Sequence, residues 1–221
     1  NASVQMSGTS MAAPHMAGVM ALVKQAHPEL SALQLKSLVM GTAKTIGEKG
    51  QRYSVSLQGS GRVQADVAAT ALLVSDVSAI SLGETAIESQ KVFRRTLQIK
   101  NISTTDLSLK FSFDGNGYIS LSPVNTLLIK VGETQSVSFN LTLDATQMKD
   151  ESIREMDGWI KISRSEDQTS QEIYRIPVLA VAHKLSAIRA DSLVVQASSS
   201  LDATGALATL KLQNKNQNTG V

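Results

Sequence analysis

The chain has 221 residues, a hydrophobic fraction of 42% and a formal charge of +2, enough apolar material for real cores in one or two domains and too much for a disordered chain. Aromatics make up 4% and no basic stripe accompanies them, which excludes a nucleic-acid surface built on stacking and phosphate contacts. With no cysteines there is no disulfide or thiolate metal site, and no apolar run approaches the roughly 18 residues of a membrane span.

The first element follows Ser7-Gly8-Thr9-Ser10. From Met11 to Val23 the chain is apolar nearly all round, which predicts a helix buried on every side. Ser10 is expected to cap it, with its hydroxyl exposed and its own N–H among the unpaired donors of the first turn. Those donors and the positive helix end suit a developing oxyanion, so Ser10 reads as an acyl-transfer nucleophile; a plain capping serine would look locally similar. Pro14 is tolerated near a helix start. Gly18 costs about 1 kcal/mol against alanine inside a helix, and close backbone packing is the expected reason for it. Lys24 and His27 favour the negative end, and Pro28 stops the helix.

Ser31 with Gln34 is a capping-box pattern opening a second helix, whose buried stripe is Leu35, Leu38, Val39 and Thr42. After about residue 75 the period becomes two: Phe93, Leu97 and Ile99; Leu107, Leu109, Phe111 and Phe113; Val137, Phe139, Leu141 and Leu143; Ile160 and Ile162; Tyr174, Ile176 and Val178. Turn signals separate these runs at Asp114-Gly115-Asn116-Gly117, Val131-Gly132-Glu133-Thr134 and Asp157-Gly158. Seven or so one-sided strands describe an antiparallel β-sandwich. Trp159 is expected in the core or in a contact between domains. The charged run from Lys149 to Glu155 reads as a solvated loop or short helix.

The tail repeats the start of this β region. Ser78-Ala79-Ile80 returns as Ser186-Ala187-Ile188, and Thr96-Leu97-Gln98-Ile99-Lys100-Asn101 as Thr209-Leu210-Lys211-Leu212-Gln213-Asn214. A second module starting near residue 185 and cut off at Val221 is expected.

Gly8-Thr9-Ser10-Met11-Ala12-Ala13-Pro14-His15, with Ala17-Gly18 behind it, closely resembles the nucleophile motif of the subtilisin-like serine proteases, the subtilases. Pro28-Glu29-Leu30-Ser31 resembles the turn between the last two large helices of that family, and Gly59-Ser60-Gly61-Arg62-Val63 its Gly-x-Gly-x-Val segment, which implies a closing helix over about residues 65 to 74. Leu97-Gln98-Ile99-Lys100-Asn101, Gly132-Glu133-Thr134-Gln135-Ser136-Val137 and Gly158-Trp159-Ile160 resemble the fibronectin type III-like module that follows many subtilase catalytic domains. The resemblance implies an α + β multi-domain fragment. Residues 1–74 would be the C-terminal helical piece of an α/β subtilase core, residues 75–184 a β-sandwich, and residues 185–221 the start of a second β module.

It also implies roles. Ser10 would be nucleophile and backbone oxyanion donor, supported by Thr9, and the acid, the base and the oxyanion asparagine would lie outside these residues. No histidine of this chain replaces the base. His15 falls about 140° around and about 7.5 Å along from Ser10, and His27 about 25 Å down the same helix. His183 belongs to the β region. The order Ser10, Asp66, His183 could nominally serve an α/β-hydrolase. Ala12, however, replaces the second glycine of its elbow, and alternating strands and helices do not follow.

The expected protein is thus a secreted, extracellular or cell-envelope endopeptidase acting on protein or peptide substrates, and this chain alone is expected to be inactive. No cofactor is visible in it, and no carboxylate cluster has calcium-loop spacing; structural calcium, where relatives bind it, would sit in the core outside this chain. Association through the exposed apolar helix or cut strands is expected. Two readings compete: a non-catalytic β-sandwich spacer or protein-binding module of a cell-envelope protein, and a pseudoprotease whose parent lacks the acid and base.

Overall fold

The computed structural model describes residues 6–123, 126–149, 153–165 and 172–185, and the backbone of the short strands Val195–Gln196 and Thr209–Leu210. The opening apolar run forms α1, Thr9–Ala26, and the capping-box run forms α2, Ala32–Gly41. The box is complete. The Gln34 amide donates to Ser31 Oγ at 3.3 Å, and the Ser31 amide donates to Gln34 Oε1 at 2.9 Å. Between the helices, Lys24 Nζ donates to the carbonyls of Pro28 (2.7 Å) and Leu30 (2.8 Å), placing a cation at the negative end of α1.

Three expectations for α1 need correction. The helix is not covered on every side: Val23 is its buried residue, while Met16 is 36% and Leu22 57% exposed. Pro14 stands six residues in, inside the helix, so the carbonyl of Ser10 lacks its usual donor four residues on. Gly18 has no close neighbour, because a Cβ built there meets nothing within 4 Å.

Beyond α2 the chain makes a long loop. It contains β1 (Gly47–Glu48), β2 (Gln51–Arg52) and α3 (Val55–Gln58), and its neck is closed by an antiparallel bridge between Lys44 and Arg62. Lys49 and Gly50 both have positive φ (52° and 81°), which suits the tight turn of a two-residue hairpin. α4 is shorter than expected, Ala65–Ala69. Its continuation is taken by β3, Leu73–Ser75, which pairs with a later strand instead of continuing the helix.

The remaining strands are β4 (Ile80–Ile87), β5 (Gln90–Asn101), β6 (Leu107–Gly115), β7 (Ile119–Ser122), β8 (Leu127–Ile129), β9 (Thr134–Asp144), β10 (Ile153–Arg164) and β11 (Glu172–Lys184). They build two sheets, ordered β4-β11-β10-β6-β8 and β3-β5-β9-β7. Alternation decides their faces: on β9, Phe139, Leu141 and Leu143 are buried, Asn140 and Thr142 between them are half-buried, and Ser138 just before them is exposed. Buried residues of both sheets join Val23, Leu30, Leu35, Leu38 and Val39 in one hydrophobic cluster, so the helices and sheets share a core.

Pairing is antiparallel throughout these two sheets except between β4 and β11, which run parallel from Val178↔Ile80 to Lys184↔Ile87. The long chain between them makes that crossover feasible. The Asp157-Gly158 turn does not exist: both residues lie inside β10, where Gly158 pairs with Gly115. A Cβ on Gly158 would stand 2.6 Å from the Asp114 carbonyl oxygen, so glycine here permits close strand approach. Of the charged run, Arg154 and Glu155 are also strand residues, and residues 150–152 lie outside the described set. The second module falls largely outside it too. Within it, Val195↔Leu210 and Gln196↔Thr209 pair antiparallel as β12 (Val195–Gln196) and β13 (Thr209–Leu210).

Candidate functional site

The site begins at Gly8, whose φ of 142° and ψ of 172° lie in a region open essentially to glycine alone. Gly8, and not Ser10, is the N-cap. Thr9 is the first and Ser10 the second helical residue, and both are exposed. The amides of Met11 and Ala12 donate to the Gly8 carbonyl at 3.1 Å each, so the helical ladder starts just after Ser10. The Ser10 N–H therefore belongs to the first-turn donors that helix geometry leaves without an internal acceptor. Glycine's freedom at residue 8 lets the chain turn sharply enough to put two hydroxyl residues at the helix start.

None of the three histidines is placed to serve Ser10. His15 Nδ1 lies 2.6 Å from the Met11 carbonyl oxygen of its own helix. His27 is buried at the other end of α1, with Nε2 3.3 Å from the Ala68 carbonyl oxygen. His183 on β11 pairs with Glu84 of β4. Asp66 sits in the first turn of α4 beside Leu22 and Gln25, so the Ser10–Asp66–His183 grouping does not assemble. Among the described residues no three His, Asp or Glu side chains converge where they could hold a metal ion.

A second cluster ties the helices to the sheets, and the sequence signalled little of it. Tyr174, buried on β11, donates from its hydroxyl to the Ser37 carbonyl of α2 at 2.7 Å and lies 2.9 Å from Ser37 Oγ. Ser37 Oγ also donates to the Val77 carbonyl at 3.1 Å. The Tyr174 ring occupies the space where a Cβ of Gly41 would stand, so glycine is required at the last turn of α2. Burial pushes the Tyr174 phenol up to about 12, with the negative charge of Asp76 adding to it and hydrogen bonds from Ser37 and Ser75 opposing.

On the outer face of β10, Arg52 lies 4.7 Å from the ring centroid of Trp159 and donates to Asp114 Oδ1 at 2.9 Å. Trp159 is buried, but outside the hydrophobic cluster that the helices and sheets share, on the face that Arg52 covers. Burial acts to raise the Asp114 pKa, but hydrogen bonds and charges from Lys161 and Arg52 outweigh it and hold the carboxyl below its ordinary value. Asp157, read as a turn residue, instead accepts the Val55 N–H at 2.7 Å.

The helix thus opens on a glycine-only conformation and carries an exposed serine in its first turn. Residues 1–61 match the model of the Subtilase family, so that part of the chain is similar to the subtilases, a family of serine peptidases. It is 32% identical over 146 residues to Minor extracellular protease Vpr of Bacillus subtilis (strain 168), covering 64% of this chain and 18% of that protein. It is 30% identical over 134 residues to Subtilisin-like protease SBT4.14 of Arabidopsis thaliana, covering 60% and 18%. The chain therefore spans about a fifth of the length of these relatives. Alignments this long necessarily run past residue 61 into the strands. Among solved structures, that of Tripeptidyl Peptidase 2 is similar at a TM-score of 0.49 and 18% identity, over 79% of this chain and 16% of the other.

Proposed function

We propose that these residues are the C-terminal part of a subtilisin-like serine endopeptidase, in which Ser10 attacks the scissile carbonyl of a protein or peptide substrate and carries the acyl-enzyme. The observation that carries this reading is the start of α1: Gly8 in a glycine-only conformation, then Thr9 and Ser10 opening an 18-residue helix inside the segment that matches the family. The Ser10 amide serves as one oxyanion donor, with Thr9 beside it. The acid, the base and the asparagine donor come from the remainder of the protease body, which also covers the apolar face of α1. The chain's share of its relatives, about a fifth, supports this.

Residues 1–74 are then the end of the catalytic domain and residues 75–184 a fibronectin type III-like sandwich, with a second module beginning at 185. The sandwich is a brace rather than a free spacer, a reading supported by the core it shares with α2 and by the Tyr174–Ser37 contact. The similarity to Vpr, named an extracellular protease, supports a secreted or cell-envelope setting.

The test has two arms. The chain alone is expected to hydrolyse no peptide substrate; turnover that Ser10→Ala abolishes would overturn the incomplete-triad reading. In the longer polypeptide, Ser10→Ala is expected to lower kcat by about 10⁶-fold and to abolish fluorophosphonate labelling. Activity retained in that variant would remove Ser10 from the chemistry.

A further inference from the structure

Residues 45–61 leave the helices and run over the outer face of β10, yet they bury almost nothing of their own. Ser60 is their buried side chain, while Ile46, Tyr53 and Leu57 face solvent, Leu57 at 78% exposure. A segment without apolar anchors is one that opens locally at low cost. Its neck, by contrast, is tight. Lys44 and Arg62 exchange backbone hydrogen bonds of 2.9 and 2.8 Å, and Gly61 passes so close to the Lys44 carbonyl that no side chain fits there.

What holds the loop down is polar and centred on Arg52. Its guanidinium covers the Trp159 ring and meets Asp114, while the Val55 N–H reaches Asp157 at 2.7 Å and Ser56 Oγ reaches Glu155 at 2.8 Å. An aromatic face beside a carboxylate is the chemistry that selects a planar guanidinium. The site stays charged without Arg52, because Lys161 Nζ lies 3.2 Å from Asp114 Oδ2 and 3.5 Å from Glu172, which pairs in turn with Arg175. The closed loop also carries a cost. Trp159 is 1% exposed, and its indole N–H has no acceptor among the described residues.

We propose that residues 45–61 are a latch that opens as a unit about the Lys44–Arg62 neck, with Arg52 as its tethered ligand in a guanidinium site formed by Trp159 and Asp114. When the latch is open, the site takes the guanidinium of an arginine-bearing peptide. The proposal is independent of the chemistry assigned to Ser10.

Trp159 is the chain's one tryptophan, so its emission reports on the site directly. In the wild-type chain the Val55 amide is expected to exchange at least about tenfold faster than those of Leu141 and Ile160 in the sheets. Arg52→Ala should red-shift the emission and speed Val55 exchange by about another tenfold, with the far-ultraviolet circular dichroism unchanged. Arg52→Gln replaces it should Arg52→Ala fail to fold. Millimolar ethylguanidinium should reverse the shift in the Arg52 variant and leave it unreversed when Asp114→Asn is added. Val55 exchanging in step with Leu141 and Ile160, or a shift that ethylguanidinium does not reverse, would overturn the proposal.

Discussion

Two neighbouring helices, both rich in apolar residues, meet opposite fates. α2 buries Leu35, Ser37, Leu38, Val39 and Gly41 in ten residues, whereas α1 buries Val23 in eighteen. The difference lies in what stands opposite. α2 has β3, β11 and the Tyr174 ring against it, while among the described residues α1 packs mainly on α2 and the short α4, along its C-terminal half. Val19 and Met20 are partly covered there, but from Ala12 to Gly18 the helix stands open. Hydrophobicity of a helix is written in its own residues; burial is conferred by a neighbour.

The comparison breaks first at Tyr174. Tyr174→Ala removes the ring that α2 leans on and the hydroxyl contacts to Ser37, and it is expected to cost roughly 3–5 kcal/mol in urea-unfolding free energy. Tyr174→Phe keeps the ring and should cost only about 1–2 kcal/mol. A pH signature separates the two contributions. The folded state holds the phenolic proton more tightly than the unfolded chain, since the pKa is raised from 10.0 to about 12. Stability from this group is therefore fully present below pH 10 and is lost as pH rises toward 12. Tyr174→Phe should remove that part of the alkaline decline, and an unchanged decline would show that the phenol does not contribute to it.

Gly41→Ala tests the same contact from the other side. Its Cβ would overlap the Tyr174 ring, so α2 or the ring must shift, at a cost of about 1–3 kcal/mol seen as a lower urea midpoint. A neutral result would mean that α2 moves freely on the sheets and that its burial owes little to Tyr174.

What the sequence makes legible is the local part of this architecture. The Ser31–Gln34 box depends on residues three apart, and the alternation from Val137 to Leu143 is a property of one strand, so both are read directly. The helix after Gly8-Thr9-Ser10 is equally visible, although the cap falls two residues earlier because only glycine takes the Gly8 conformation. The misreadings come from residues whose signal is ambiguous or remote. Glycine marks both turns and close strand approach, and only the pairing of Gly158 with Gly115 decides between them. The parallel β4–β11 pair and the Tyr174–Ser37 contact join residues about a hundred or more positions apart, which no periodicity reports. Arg52 looks like any exposed loop arginine until Trp159 is brought beneath it.

The smallest expected effect is the most discriminating for α1. In this chain a Cβ at Gly18 meets nothing within 4 Å, so Gly18→Ala gains helix propensity without a clash and should raise stability by about 0.5–1 kcal/mol. In the longer protease body proposed above, the same face of α1 is covered, and the added methyl should overpack it, lowering activity and the unfolding midpoint together. Gly41→Ala has no such reversal, because its obstacle, Tyr174, travels with the chain. Measured side by side in both settings, Gly18→Ala should change sign while Gly41→Ala does not. If Gly18→Ala destabilises the 221-residue chain as well, α1 already has a partner in solution. Sedimentation at several concentrations would then show whether that partner is a second copy.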